Sequence, residues 1–139
     1  YKLICTTKFL EIITAMSNYF TDKLFSVDTE INSLRQGNHI TEAVMEYLRA
    51  NYSKKITGDM IAECLEMNFD YLNRVFKKYL GCTIFEYLKI IRINKAKELL
   101  MNRNMKIYEI ADATGFSDEF HFSRVFKAET GMSPKKYAI

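Results

Sequence analysis

The sequence predicts an all-α chain, and three observations carry the prediction. One proline and five glycines are few breakers for 139 residues of which 48% are apolar. Leu, Ile, Lys, Glu and Met, all good or tolerable helix formers, abound. One stretch is nearly repeated: IAECLEMNFDYLNRVFKKYLG at 61–81 is answered by IADATGFSDEFHFSRVFKAETG at 110–131. Ile-Ala opens both copies, Arg-Val-Phe-Lys recurs at 74–77 and 124–127, and Gly closes both, with a tyrosine following at Tyr87 and Tyr137. The offset is 49 at the start (61 to 110) and 50 at the end (81 to 131), so the second copy carries one extra residue, expected just before Arg124. Such fidelity implies one helical unit used twice.

The elements follow in order. Phe9, Ile13, Met16 and Phe20 fall at spacings of four, three and four, and Leu24, Val27, Ile31 and Leu34 continue at three, four and three. One helix from Phe9 to Gln36, about 40 Å long, would stack them on one seam before Gly37 ends it. Two readings fit residues 1–37: a connector that forms a homodimer through residues 9–36, or two helices folded on a neighbouring or upstream domain. The sequence opens on Tyr1 rather than Met, so a longer protein with a sensor upstream is expected.

Asn38 is placed to cap a second helix through Val44, Tyr47 and Leu48 that ends near Asn51. Thr57 caps a short helix through Met60, Ile61 and Leu65, and Asn68 caps the next, which buries Leu72, Val75, Phe76 and Tyr79 on one stripe. Thr83-Ile-Phe-Glu86 is a capping box opening a linker helix to about Arg103, with Phe85, Leu88, Ile91, Ala96, Leu99 and Leu100 turned to both units. A short helix around Ile107, Ile110 and Ala111 ends at Gly115, and Ser117 caps a helix that buries Phe122, Val125 and Phe126. Ser133-Pro134 opens a closing helix containing Lys135, Lys136 and Tyr137. The two units, about 57–80 and 106–130, each read as helix, turn, helix.

Composition sets bounds on chemistry. The net charge of +3 sums 20 basic and 17 acidic residues; residues 1–37 hold four of each, so the excess lies in 38–139. Three cysteines without paired spacing fit a reducing, cytoplasmic compartment, and no apolar run is long enough for a membrane span. His39, Cys64, Cys82 and His121 lack zinc-site spacing, with Cys64 expected in the core, so no metal and no cofactor are expected. No phosphate loop, nucleophile elbow or histidine–carboxylate constellation is present, so the chain reads as a non-enzyme.

From residue 38 to 137 the chain resembles the DNA-binding domain of the AraC/XylS transcription regulators. The resemblance is carried by Arg92-Ile93-x-x-Ala96 followed by Leu99-Leu100, by Ile110-Ala111 with Gly115-Phe116, by Phe122-Ser123-Arg124-Val125-Phe126-Lys127, and by Gly131-x-Ser133-Pro134-x-x-Tyr137. Two departures fall in the second unit: His121 stands where an aromatic is usual, and Ala138 where an arginine commonly follows the last tyrosine. The resemblance implies two recognition helices in successive major grooves of double-stranded DNA, with RNA polymerase as a further partner.

The exposed stripes name the contacts. Arg74 offers a bidentate fork to guanine, Asn73 suits adenine, and Asp70 suits the cytosine amino group. By the repeat, Arg124 and Ser123 are the second-unit readers, with Glu119 or Phe120 in the place of Asp70. Lys77, Lys78, Lys127, Lys135 and Lys136 are the phosphate contacts. A helical signalling or adaptor module acting through the 1–36 seam is the competing reading.

Overall fold

A computed structural model describes the backbone of residues 2–102 and 104–138 and the side chains from Ile13 onward. Tyr1 and Arg103, both named above, lie outside the described residues, as do the side chains of residues 9–12 at the start of the expected seam, Phe9 among them. The described residues form seven helices and no strand: α1 (Lys2–Asn51), α2 (Gly58–Cys64), α3 (Phe69–Leu80), α4 (Ile84–Met101), α5 (Ile107–Ala113), α6 (Glu119–Thr130) and α7 (Pro134–Tyr137). They fall into two units, Tyr1–Asn38 and His39–Ile139.

In the first unit α1 exposes every residue whose burial is described except Gly37. Gly37 does not end the helix and Asn38 does not cap a new one, because α1 continues to Asn51. A mid-helix glycine costs only about 1 kcal/mol, and nothing nearby forces a break: the single proline is Pro134.

The second unit has two cores that share α4. Ile40, Val44 and Leu48 of α1 pack with Ile56, Ile61, Leu72, Phe76, Ile84 and Leu88. Farther along α4, Ile93, Ala96 and Leu100 pack with Ile110, Ala111, Phe116, Phe122 and Phe126. Ile84 and Leu88 thus serve the first core and Ile93, Ala96 and Leu100 the second, which is what the linker-helix reading requires. Eighteen residues give α4 a length of about 27 Å. Phe85, expected among its buried residues, is exposed, although its ring lies 5.6 Å from that of Phe69.

The repeat is structural as well as sequential. Helices α3 and α6 are related by an offset of 50 at both ends (69 to 119, 80 to 130), and each stops at a left-handed glycine, Gly81 at φ 75° and Gly131 at φ 81°. Phe76 meets Tyr87 edge-on at 5.4 Å, and Phe126 meets Tyr137 edge-on at 5.3 Å. Helices α2 and α5 are related by 49 (58 to 107, 64 to 113). The extra residue therefore falls in the turn, not before Arg124. Met67 N–H donates to the Ala62 carbonyl as Phe116 N–H donates to that of Ala111, so Ser117 is the insertion.

That displacement changes a cap. Asn68 Oδ1 accepts from Tyr71 N–H at 3.2 Å, as its sequence position predicts. In the second copy the cap is Asp118, whose Oδ1 accepts from His121 N–H at 2.7 Å, and Ser117 only donates to Asp118 Oδ2 at 3.0 Å. Aspartate and serine cap equally well, so sequence preference could not choose between neighbours.

Candidate nucleic-acid interface

Two devices fix the elements next to α3 and α6. The start of α4 is closed by the predicted capping box: Glu86 N–H donates to Thr83 Oγ1 at 3.2 Å, and Thr83 N–H to Glu86 Oε2 at 2.7 Å. The Thr83 N–H and hydroxyl together hold the Glu86 carboxyl below its ordinary range. Arg92 supplies the second device. Its Nε and Nη2 donate to the carbonyls of Tyr52 and Lys54, each at 2.9 Å, and its guanidinium lies 5.9 Å from the Phe116 ring centroid. Arg92 thereby links the loop after α1 to the turn between α5 and α6. Half-burial lowers its pKa, but an arginine has range to spare and stays charged.

Gly115 sits against this linkage at φ 80°; a Cβ there would lie 2.4 Å from the Tyr52 carbonyl oxygen and 3.0 Å from Arg92 Nη2. Only glycine fits both the left-handed backbone and the space. The equivalent residue in the first turn is Glu66, at φ 52°.

The exposed face of α3 carries Asp70, Arg74, Lys77 and Lys78. The Arg74 guanidinium lies 5.8 Å from the ring centroid of Tyr71, three residues earlier on α3. Helix α6 exposes Glu119, Phe120, Arg124 and Lys127, with Ser123 half-buried. Phe120 is 82% exposed, the most exposed large apolar residue described. Among the described residues the ion pairs are Lys89–Glu129 and Lys95–Glu98, so neither Asp70 nor Glu119 neutralises its neighbouring arginine. Lys135 and Lys136 lie exposed on α7.

Asn73 departs from the base-reading expectation. It is half-buried, and its Oδ1 accepts the Ile84 N–H at 3.0 Å, satisfying an orphan donor at the start of α4. The acceptor needed for an adenine amino group is engaged inside the fold. Spacing alone could not reveal this, because Asn73 and Arg74 are neighbours on a stripe whose inner edge is decided by packing.

His121, the unusual residue of the second unit, sets its ring edge-on to Phe116 at 5.6 Å, and its Nδ1 lies 3.2 Å from Ser117 Oγ. It fills an aromatic's place against the turn. Cys64 is exposed rather than in the core, and Cys82 is half-buried. Among the described residues, no cluster of His, Cys, Asp and Glu could hold a metal, and no helix is long and apolar enough to cross a membrane.

A family model described as a helix-turn-helix domain matches residues 61–138. The C-terminal domain of AraT, a response regulator from Geobacillus stearothermophilus, superposes with a TM-score of 0.69 at 34% identity over 71% of this chain and 83% of that one. The chain belongs to the AraC-type helix-turn-helix family. A second member of known structure, the C-terminal domain of the two-component response regulator yesN from Fusobacterium nucleatum, gives a TM-score of 0.68 at 33% identity over 70% of this chain and 96% of that one. YijO, an HTH-type transcriptional regulator of Escherichia coli, is 29% identical over 126 residues, 91% of this chain but 44% of its own length. The chain spans less than half the length of the AraC-type relatives of this kind that it matches.

Proposed function

We propose that this chain is the DNA-reading part of a bacterial, cytoplasmic transcription regulator without catalytic activity, acting on double-stranded DNA and, through it, on RNA polymerase. Arg74 and Arg124 are the principal base readers, each forking to a guanine in one of two successive major grooves. Asp70, Glu119 and Ser123 tune the neighbouring positions, and Phe120 packs on a thymine methyl. Lys77, Lys78, Lys127, Lys135 and Lys136 hold phosphates and fix the register. Asn73 supports the first unit from within instead of reading a base. The observation that carries this reading is the pairing of two exposed arginines at one offset of 50 (74 to 124), neither neutralised by a carboxylate. A protein surface without a polyanionic partner gains little from two such repeated, unpaired charges.

A homodimer through residues 9–36 completes the proposal. The apolar seam of α1 is exposed along its described length, and pairing would remove it from water while tethering two reading units.

Selection from random duplexes tests the assignment. The unmodified chain should return a defined motif, and Arg74→Ala should weaken the preferred site by about 1–3 kcal/mol and relax one position. The same motif and affinity for Arg74→Ala would refute α3 as a base reader.

A further inference from the structure

We infer that α1 pairs with a second copy of this chain as a parallel, in-register coiled coil whose direction is set by four charged residues flanking the seam. The inference rests on the homodimer proposed above and adds its geometry. With Ile13, Phe20, Val27 and Leu34 at d, the a positions are Ser17, Leu24 and Ile31. Six of these seven are apolar, and those six are 41–65% exposed in the single chain. A seven-residue repeat of this kind, broken only at Ser17, where the apolar Met16 stands one place earlier on the flank, is the pattern of a two-helix seam, narrower than the face a helix turns to a globular core.

The flanks decide the direction. Positions g are Met16, Lys23 and Glu30, and positions e are Thr14, Thr21, Asp28 and Arg35. In a parallel, in-register pair each g residue faces the e residue five places on in the other copy. Lys23 then faces Asp28 and Glu30 faces Arg35, and two-fold symmetry doubles both contacts. Every flanking charge finds its opposite. An antiparallel pair with the same apolar residues in full overlap sets g against g and e against e. That arrangement matches Lys23 to Glu30 but leaves Asp28 opposite Thr21 and Arg35 opposite Thr14. Within one chain a residue five places away lies on the other side of the helix, and among the described residues none of the four charges has an ion-pair partner. The hydroxyl of Thr21 is turned back to the Ser17 carbonyl at 2.6 Å, which lets it border an apolar seam without an unsatisfied donor.

Two double variants of the chain separate the arrangements by sedimentation equilibrium without DNA. Lys23→Glu alone should weaken the dimer about ten-fold, since two attractions become repulsions. Adding Asp28→Lys should restore it, whereas adding Glu30→Lys should weaken it further by about another ten-fold. Restoration by Glu30→Lys and not by Asp28→Lys would overturn the parallel arrangement while keeping the dimer. Equal behaviour of the two double variants would overturn the role of the flanking charges. A monomeric unmodified chain at tens of micromolar would remove the dimer itself, and duplex selection would still decide the DNA-reading proposal. Far-ultraviolet circular dichroism of each variant, expected to match the unmodified chain, shows that loss of pairing is not loss of fold.

Discussion

Asn73 and Ile84 are joined by a 3.0 Å hydrogen bond from the Ile84 amide to the Asn73 side-chain carbonyl, and the bond has no counterpart in the other half of the repeat. At the equivalent places, 50 residues on, stand Ser123 and Pro134. Proline at the first position of a helix has no N–H to satisfy. The two units thus solve one problem, the orphan donor behind each recognition helix, by two chemistries.

A double-mutant cycle follows from this relationship. Asn73→Ala should cost about 1–2 kcal/mol, because a buried donor loses its acceptor. Ile84→Pro removes the donor as well as a buried side chain, so it is costly alone. Its cost should fall by about 1 kcal/mol in the Asn73→Ala background. Denaturant unfolding of the four proteins gives the coupling, and strict additivity would show that the bond contributes nothing.

The turns offer a second asymmetry. Glu66 and Gly115 both take the left-handed conformation, yet only Gly115 is crowded, by the Tyr52 carbonyl and Arg92. Glu66→Gly should therefore stabilise the chain by about 0.5–1 kcal/mol by relieving backbone strain. Gly115→Ala should cost more than about 2 kcal/mol, since left-handed strain and a carbonyl clash add. Gly131→Ala, in open space at φ 81°, serves as the control and should cost about 1–2 kcal/mol. Melting temperatures that rank Gly131→Ala as the most damaging would contradict the packing of Gly115.

Much of this architecture was legible because its signals are local. Thr57, Asn68 and the Thr83–Glu86 box are caps that depend on residues within one turn, and the chain obeys them. Phe76 and Phe126 were legible through the repeat, which duplicates their tyrosine partners too. What escaped depends on distant neighbours or on near-equal local choices. Ser117 and Asp118 compete for one cap, and the backbone of the turn chooses. Gly37 looks like a stop, but a helix stops only where something competes for its hydrogen bonds. Asn73 looks like a surface reader until Ile84, eleven residues on, takes its acceptor. The Arg92 linkage spans 38 and 40 residues, a distance over which no periodicity speaks.

Acid should weaken the chain at identifiable points. Asp118 and Glu86 are both held below their ordinary carboxyl values, Asp118 chiefly by the His121 N–H and Glu86 chiefly by the Thr83 N–H. A depressed pKa in the folded state means stability fully present above the unfolded values, near 3.8 and 4.5, and lost as pH falls through the lower folded ones. Asp118→Asn keeps an acceptor for His121 N–H but cannot titrate. Its melting temperature should fall less steeply below about pH 3.8 than that of the unmodified chain. Identical slopes would mean that the cap's charge has no part in acid unfolding.

Salt should separate phosphate contacts from base contacts. Five lysines assigned to phosphates imply a slope of log affinity against log salt of about −4.5, at about −0.9 for each. Lys78→Ala should flatten that slope by about 0.9 and weaken all duplexes alike, leaving the selected motif unchanged. Arg74→Ala should do the reverse, changing the motif while moving the slope by only a few tenths, as the proposed role of its fork at base edges rather than at the backbone requires. Fluorescence anisotropy across a salt series measures both. A slope near zero for the unmodified chain would leave the helical adaptor reading in possession of the field, since a surface that binds DNA must release counterions when it does so.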